Sequence, residues 1–210
     1  MPEKTAQKEP DKKPVPSKKP KPQQEVVVQI PLSELHPFPD HPFQVREDAS
    51  MQETAESVKE YGVLVPALAR PREDGGYELI AGHRRKHACE LAGLATMPVI
   101  VRDIDRDAAT IIMVDSNLQR ENILPSERAK AYKMKMEAIK RQGARTDLTS
   151  PKISAKFRSD DEVGQDAGVS GDTIRNYIAL TQLVPELQQM VDEKKIALSP
   201  AYQIAALTPK

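Results

Sequence analysis

Apolar positions change period along this chain, and each change marks an element. Residues 1–24 carry almost no apolar side chains and no period. "EVVVQI" at 25–30 is a β-branched run suited to a strand. Pro and Asp interrupt "HPFPDHPFQVRED", which predicts a structured loop. In "SMQETAESVKEYG", Met51, Thr54, Ala55, Val58 and Tyr61 recur at helical spacing, with Gly62 placed to end the helix. "VLVPALARP" and "YELIAG" predict two strands joined across the turn "REDGG". A short helix "HRRKHACELAG" and a strand "MPVIVRD" follow. "DRDAATIIMVDSNLQREN" then predicts a helix with Ala108, Ile111, Ile112 and Leu118 inward. After "LPSERA" the character changes. "SERAKAYKMKMEAIKRQG" predicts a basic amphipathic helix with Ala131, Met134, Ala138 and Ile139 toward a core. Residues 143–158 have the character of a loop between helices. From Asp160 onward the helices break at "GVSGD", "LVPE" and "LSPA". The expected fold is an α+β domain over 25–122, a small mixed sheet with helices, followed by an all-α domain over 123–210.

Composition adds few constraints. Lys+Arg and Asp+Glu number 31 each, so any polyanion must be met by local charge. The Pro- and Lys-rich segment 1–24 cannot bury enough surface to offset its ordering entropy and is expected to be disordered. One Cys and no Trp give no internal disulfide framework, which fits a reducing compartment. No stretch approaches the roughly 20 apolar residues of a membrane span, and no secretory h-region follows Met1. The expectation is a cytoplasmic protein with no membrane partner.

"DEVGQDAGVSGDTIRNYIAL" at 161–180 has the spacing of a helix-turn-helix. Val163 and Ala167 face the core, Gly168 takes the turn, Val169 plugs the corner, and Ile174 and Ile178 anchor the second helix. Ser170 is an N-cap, which leaves Gly171, Asp172, Thr173, Arg175 and Asn176 outward, where a recognition helix presents side chains to base edges. Arg175 and Asn176 suit guanine and adenine edges. Arg128, Lys130, Lys133, Lys135, Lys140 and Arg141 on the preceding helix offer phosphate contacts, or form a solvated face. Helical pairs that bind no DNA share this pattern.

"YELIAGHRRKHACELAG" at 77–93 sets Gly82 where a strand becomes a helix. The free N–H groups of a helix start attract anions, Gly82 admits close approach, and Arg84 and Arg85 add bidentate donors. His83 and His87 stand four apart, but "RRK" between them repels a dication and no Glu intervenes, which argues against a metal. Cys89 is expected to be a buried, inert thiol.

"HPFQVR", "GVLVPALARP", "ELIAGHRRKHA" and "NLQREN" occur in this order before a helix-turn-helix. Together they resemble the ParB family of DNA-partition proteins, over about 26–207. That resemblance implies an N-terminal domain that binds and hydrolyses CTP with Mg²⁺. It further implies a helix-turn-helix on a palindromic centromere-like duplex and a homodimer that CTP closes into a clamp. A ParA-type ATPase is the implied partner, and the nucleoid or a plasmid the implied location. Gln44 and Arg46 match the first nucleotide motif, and Gly82, Arg84 and Arg85 the phosphate motif, with His83 in place of its Glu. Asn117, Leu118, Gln119 and Arg120 match the third motif. Asn117 is then the implied Mg²⁺ ligand, and Ser116 replaces the family's metal-holding Glu, which implies weak or absent hydrolysis. These departures suit a plasmid or integrative element. ParB-like chains usually continue into a C-terminal dimerisation domain.

Two other functions share the fold. A nucleotide-independent transcriptional regulator would retain the N-terminal domain as scaffold. A sulfiredoxin- or serine-kinase-like enzyme would place a reactive group at the phosphate seat. Sulfiredoxin needs Cys directly after the Gly, where this chain has His83, and the enzyme reading leaves the helix-turn-helix unexplained.

Overall fold

The computed structural model describes residues 25–120, 122–146 and 159–207, so the expectations for 1–24 and 147–158 lie outside the described residues. Strand β1 (Val27–Pro31) passes through a 3-10 turn (Leu32–Glu34) into β2 (Leu35–Pro37). Helix α1 (Ala49–Tyr61), β3 (Ala67–Pro71), β4 (Tyr77–Ala81), α2 (His83–Leu91) and β5 (Thr96–Val101) follow. The chain continues with α3 (Arg106–Leu118) and the long α4 (Pro125–Thr146). Four short helices come next: α5 (Ser159–Ala167), α6 (Gly171–Ala179), α7 (Pro185–Asp192) and α8 (Leu198–Leu207).

The sheet runs β1-β5-β3-β4-β2. The β1–β5 and β3–β4 pairs are antiparallel, while β3–β5 and β2–β4 are parallel. Such a mixed sheet has a face for each helical layer. Leu79 joins Met51 and Val58 of α1 and Ala88 and Cys89 of α2 on one side. Its neighbour Ile80 joins Ala109, Met113 and Val114 of α3 and Ala131 of α4 on the other. Strand alternation sends these two adjacent side chains to opposite layers, and both are fully buried.

Several expectations shift. In α3 the fully buried apolar residues are Ala109, Met113 and Val114; of the four expected inward, Ile112 and Leu118 pack half-buried against them, while Ala108 and Ile111 join no core cluster among the described residues. The helix starts at the Asp105 cap, whose carboxylate accepts the Ala108 N–H. Residues 143–146, expected in a loop, extend α4. The break expected at "LSPA" lies just before it, between Asp192 and Leu198, and Pro200 sits in the first turn of α8, where its missing N–H is free of cost. The domain boundary at 122/123 falls just before α4, yet α4 serves both halves. Its Ala131 packs under the sheet, while Ala129 and Tyr132 enter the helical clusters.

Candidate functional site: a cationic cleft and a helix-turn-helix

Gly82 is the N-cap of α2, with φ 113° and ψ 19° and no side chain to cap the helix. A Cβ there would lie 2.8 Å from the Cβ of Ala67, so strand β3 excludes any larger residue. The first N–H groups of α2 lack helical partners and open onto two adjoining clefts of about 300 and 230 Å³. Gln44, Arg84 and Arg120 line both. Arg46 lines the first, and Gly82, His83, Arg85 and Asn117 the second. Three segments far apart in sequence thus bring eight of the nine expected residues together.

Gln119 is the exception. It caps the end of α3 and lines a separate hollow with Arg128, Tyr132 and Asp166, because successive helical residues turn by about 100°.

The guanidinium groups differ in how far the protein already holds them. Arg84 donates to Ser50 Oγ at 3.1 Å and faces Asp48 at 3.7 Å. Arg85 donates through Nη1 to the carbonyls of Val65 and Pro66, each at 2.6 Å, and burial lowers its pKa. Arg120 donates to Asn117 Oδ1 at 3.4 Å. Arg46 stands 3.8 Å from Glu127.

His83 stacks on His41 with ring centroids 3.9 Å apart, and the Nε2 atoms of both are buried without a hydrogen-bond partner. Burial first, then His41 and Lys86, hold the His83 pKa down to about 3, so the pair is neutral in the folded protein. The Nδ1–H of His41 donates to the Phe43 carbonyl at 2.7 Å. Cys89 is buried, and its pKa is raised by burial and by Glu90, as an inert thiol requires.

Asp48, Ser50, Asn122, Ile123 and Glu127 also line the cleft, and sequence reasoning missed them. Glu127 left a signal: it sits three residues after the α4 start at Leu124–Pro125, the capping-box position. Its Oε2 accepts the Leu124 N–H at 3.1 Å and its Oε1 the Gln44 N–H at 3.0 Å.

Mg²⁺ finds few ligands here. Ser116 Oγ and Asn117 Nδ2 both donate to the Met113 carbonyl, and both Glu127 oxygens accept backbone N–H groups. Among the described residues no group of three acidic, His or Cys side chains could hold a metal. Ser116 offers a neutral oxygen and Asn117 Oδ1 accepts from Arg120 at 3.4 Å, so the donors are weak for the cation that the family resemblance implied.

Helices α5 and α6 meet as the spacing at 161–180 predicts. Val163 and Ile174 are fully buried, packed with Ala167, Val169 and Ile178. Gly168 turns with φ 69°, and Ser170 Oγ accepts the Thr173 N–H at 3.2 Å. Gly164, unremarked in the sequence, lets the helices close: a Cβ there would lie 2.6 Å from the Val169 carbonyl.

One outward assignment fails. Gly171 is buried, and a Cβ on it would strike the Asp161 carboxylate. Arg175 is exposed as expected, and its guanidinium is ion-paired with both Asp160 and Asp172. Ser170, Asp172 and Asn176 are exposed, and Thr173 is half-buried. The basic face of α4 is also smaller than expected. Lys135 is fully buried and bonds Asp115 at 2.6 Å and Asp166 at 2.8 Å. Arg141 bonds Asp107 at 2.7 Å, and Arg128 lies over the Tyr177 ring. Lys130 and Lys140 remain exposed.

Among the described residues no helix is long and apolar enough to cross a membrane. The ParB N-terminal domain family matches residues 16–118. The chromosome-partitioning protein Spo0J of Thermus thermophilus is 35% identical over 185 residues, 88% of this chain and 61% of that protein. The chain thus spans about three-fifths of that relative's length. A C-terminally truncated ParB from Caulobacter crescentus, complexed to the centromeric parS site, aligns at TM-score 0.56 and 28% identity. The alignment covers 85% of this chain and 84% of that one. The same protein complexed with CTP-gamma-S is 30% identical over 86% of this chain and 92% of that one, at TM-score 0.42. The order of the motifs, the sheet that carries them, the ParB N-terminal domain match and the Thermus and parS-complexed relatives converge: the chain belongs to the ParB family of DNA-partition proteins.

Proposed function

We propose that this chain is a partition-type DNA-binding protein that takes a nucleoside triphosphate, CTP before others, in its α+β domain. Its helix-turn-helix then holds a palindromic, centromere-like duplex. The observation that carries the reading is the convergence of Arg46, Arg84 and Arg120 on the open start of α2. A triphosphate there meets helix N–H groups, a side-chain-free approach at Gly82 and fixed guanidinium charges. Arg85 acts from behind, holding the carbonyls of Val65 and Pro66 next to Gly82.

Because the donors fit Mg²⁺ poorly, the cleft is a binding site with slow or absent hydrolysis, and no metal-assisted step is assigned to it. Ser170, Thr173 and Asn176 are the base-facing residues of α6. Arg175 instead braces α5 against α6 until something displaces its carboxylates. Family membership supports the remaining partners: a second copy of this chain, closed by nucleotide into a clamp, and a ParA-type ATPase, in the cytoplasm on the nucleoid or a plasmid.

Calorimetric titration with CTP, ATP, GTP and UTP, each with and without Mg²⁺, tests the reading. CTP should bind best and depend little on Mg²⁺. Arg84 and Arg85 already have protein acceptors, which favours a second reading, a nucleotide-independent regulator on the same fold. Specific DNA binding with no triphosphate bound at millimolar concentration would select it.

A further inference from the structure

Glu127 is 6% exposed, yet it stands in the wall of a cleft built to attract anions. A carboxylate there repels a triphosphate, so its presence needs a reason. Its contacts supply one. From Phe43 to Asp48 the chain is in neither helix nor strand, so the backbone of that segment must be held from outside. The Gln44 N–H donates to Glu127 Oε1 across 83 residues of sequence, and Arg46 lies 3.8 Å from the same oxygen. Oε2 is fixed in turn by the Leu124 N–H, so the carboxylate is part of the first turn of α4. The adjacent Ser126 bonds Asp192 of α7 through both its N–H, at 2.9 Å, and its hydroxyl, at 2.5 Å. One helical turn therefore grips the cleft loop on one side and the helical domain on the other.

Resting on the nucleotide reading above, we infer that Glu127 is a positioning residue for the triphosphate: it fixes the Gln44–Arg46 segment on the start of α4. The sign of one substitution separates this from a passive charge. Glu127→Gln keeps the volume and one acceptor oxygen but removes the negative charge. If Glu127 were only a charge in the wall, its loss would relieve repulsion and tighten triphosphate binding. As a positioning residue it accepts one N–H at each of two oxygens, and glutamine would turn one of those positions into an NH₂ donor facing an N–H.

The test is titration of CTP into the full chain as wild type, Glu127→Gln, Arg46→Ala and the double variant, with amide hydrogen exchange at Gln44 beside it. Glu127→Gln should weaken CTP binding about tenfold and speed Gln44 exchange, with specific duplex binding retained. The double variant should lose less than the two single losses combined. Unchanged or tighter CTP binding by Glu127→Gln overturns the inference, as does unchanged Gln44 exchange. A wild type that binds no triphosphate overturns the nucleotide reading, a result distinct from either.

Discussion

Arg84 and Arg120 are the side chains in the cleft with most left to offer a ligand, since both line its two halves and each holds only partners near or beyond 3 Å. Removing one charge-assisted contact costs about 1.5–3 kcal/mol, so Arg84→Ala and Arg120→Ala should each lower triphosphate affinity by one to two decades in calorimetry. Arg85→Ala should instead lower the melting temperature as well, because its guanidinium holds two carbonyls. His83 governs a pH effect. Its folded pKa of about 3 lies below the unfolded 6.5, so the unfolded chain takes up its proton first as pH falls. The stability of the neutral pair is complete above about pH 6.5 and is lost progressively toward pH 3. Urea midpoints should drop between pH 7 and pH 5 in the wild type, and drop less in His83→Gln.

At the scale of elements, packing between helices sets the costs. Gly164→Ala pushes a Cβ to 2.6 Å from the Val169 carbonyl, a backbone atom with little freedom to move. It should destabilise the helical domain by about 1–3 kcal/mol in chemical denaturation and weaken cognate duplex binding in parallel. Lys135 joins three helices, since its ammonium on α4 meets Asp115 on α3 and Asp166 on α5. Burial works against its charge, yet the bonds to those two carboxylates raise its pKa. The carboxylates are about half exposed and the lysine is not. Lys135→Met, which returns them to water, should therefore cost less than about 2 kcal/mol. Asp115→Ala with Asp166→Ala strands a buried cation and should cost about 3–5 kcal/mol, which denaturation of the two variants will rank.

For the whole molecule, a net charge of zero means that the proposed DNA binding must draw on a few local cations. Cognate affinity should fall linearly with the logarithm of salt concentration, by roughly 0.9 per phosphate neutralised. Asn176→Ala should lower cognate affinity by about 1–3 kcal/mol, leave that slope unchanged and spare random DNA. A changed slope would make Asn176 a phosphate contact.

How much of this was legible in the residues follows from the range of the interactions. Local conformation is written locally: the Ser170 cap, the Gly168 turn, the Gly82 junction and the inward positions of α6 follow from neighbours a few residues away. The sequence by itself therefore determined the order of elements, the helix-turn-helix and the family motifs of the cleft. Long-range contacts have no local trace. Nothing near Glu127 shows that Gln44 will bond it, nothing near Lys135 shows two distant carboxylates burying it, and nothing near Arg175 shows Asp160 holding it. Only the tertiary structure decided which charges face a ligand and which face each other, because a charge buried away from water must find its partner wherever the chain brings one.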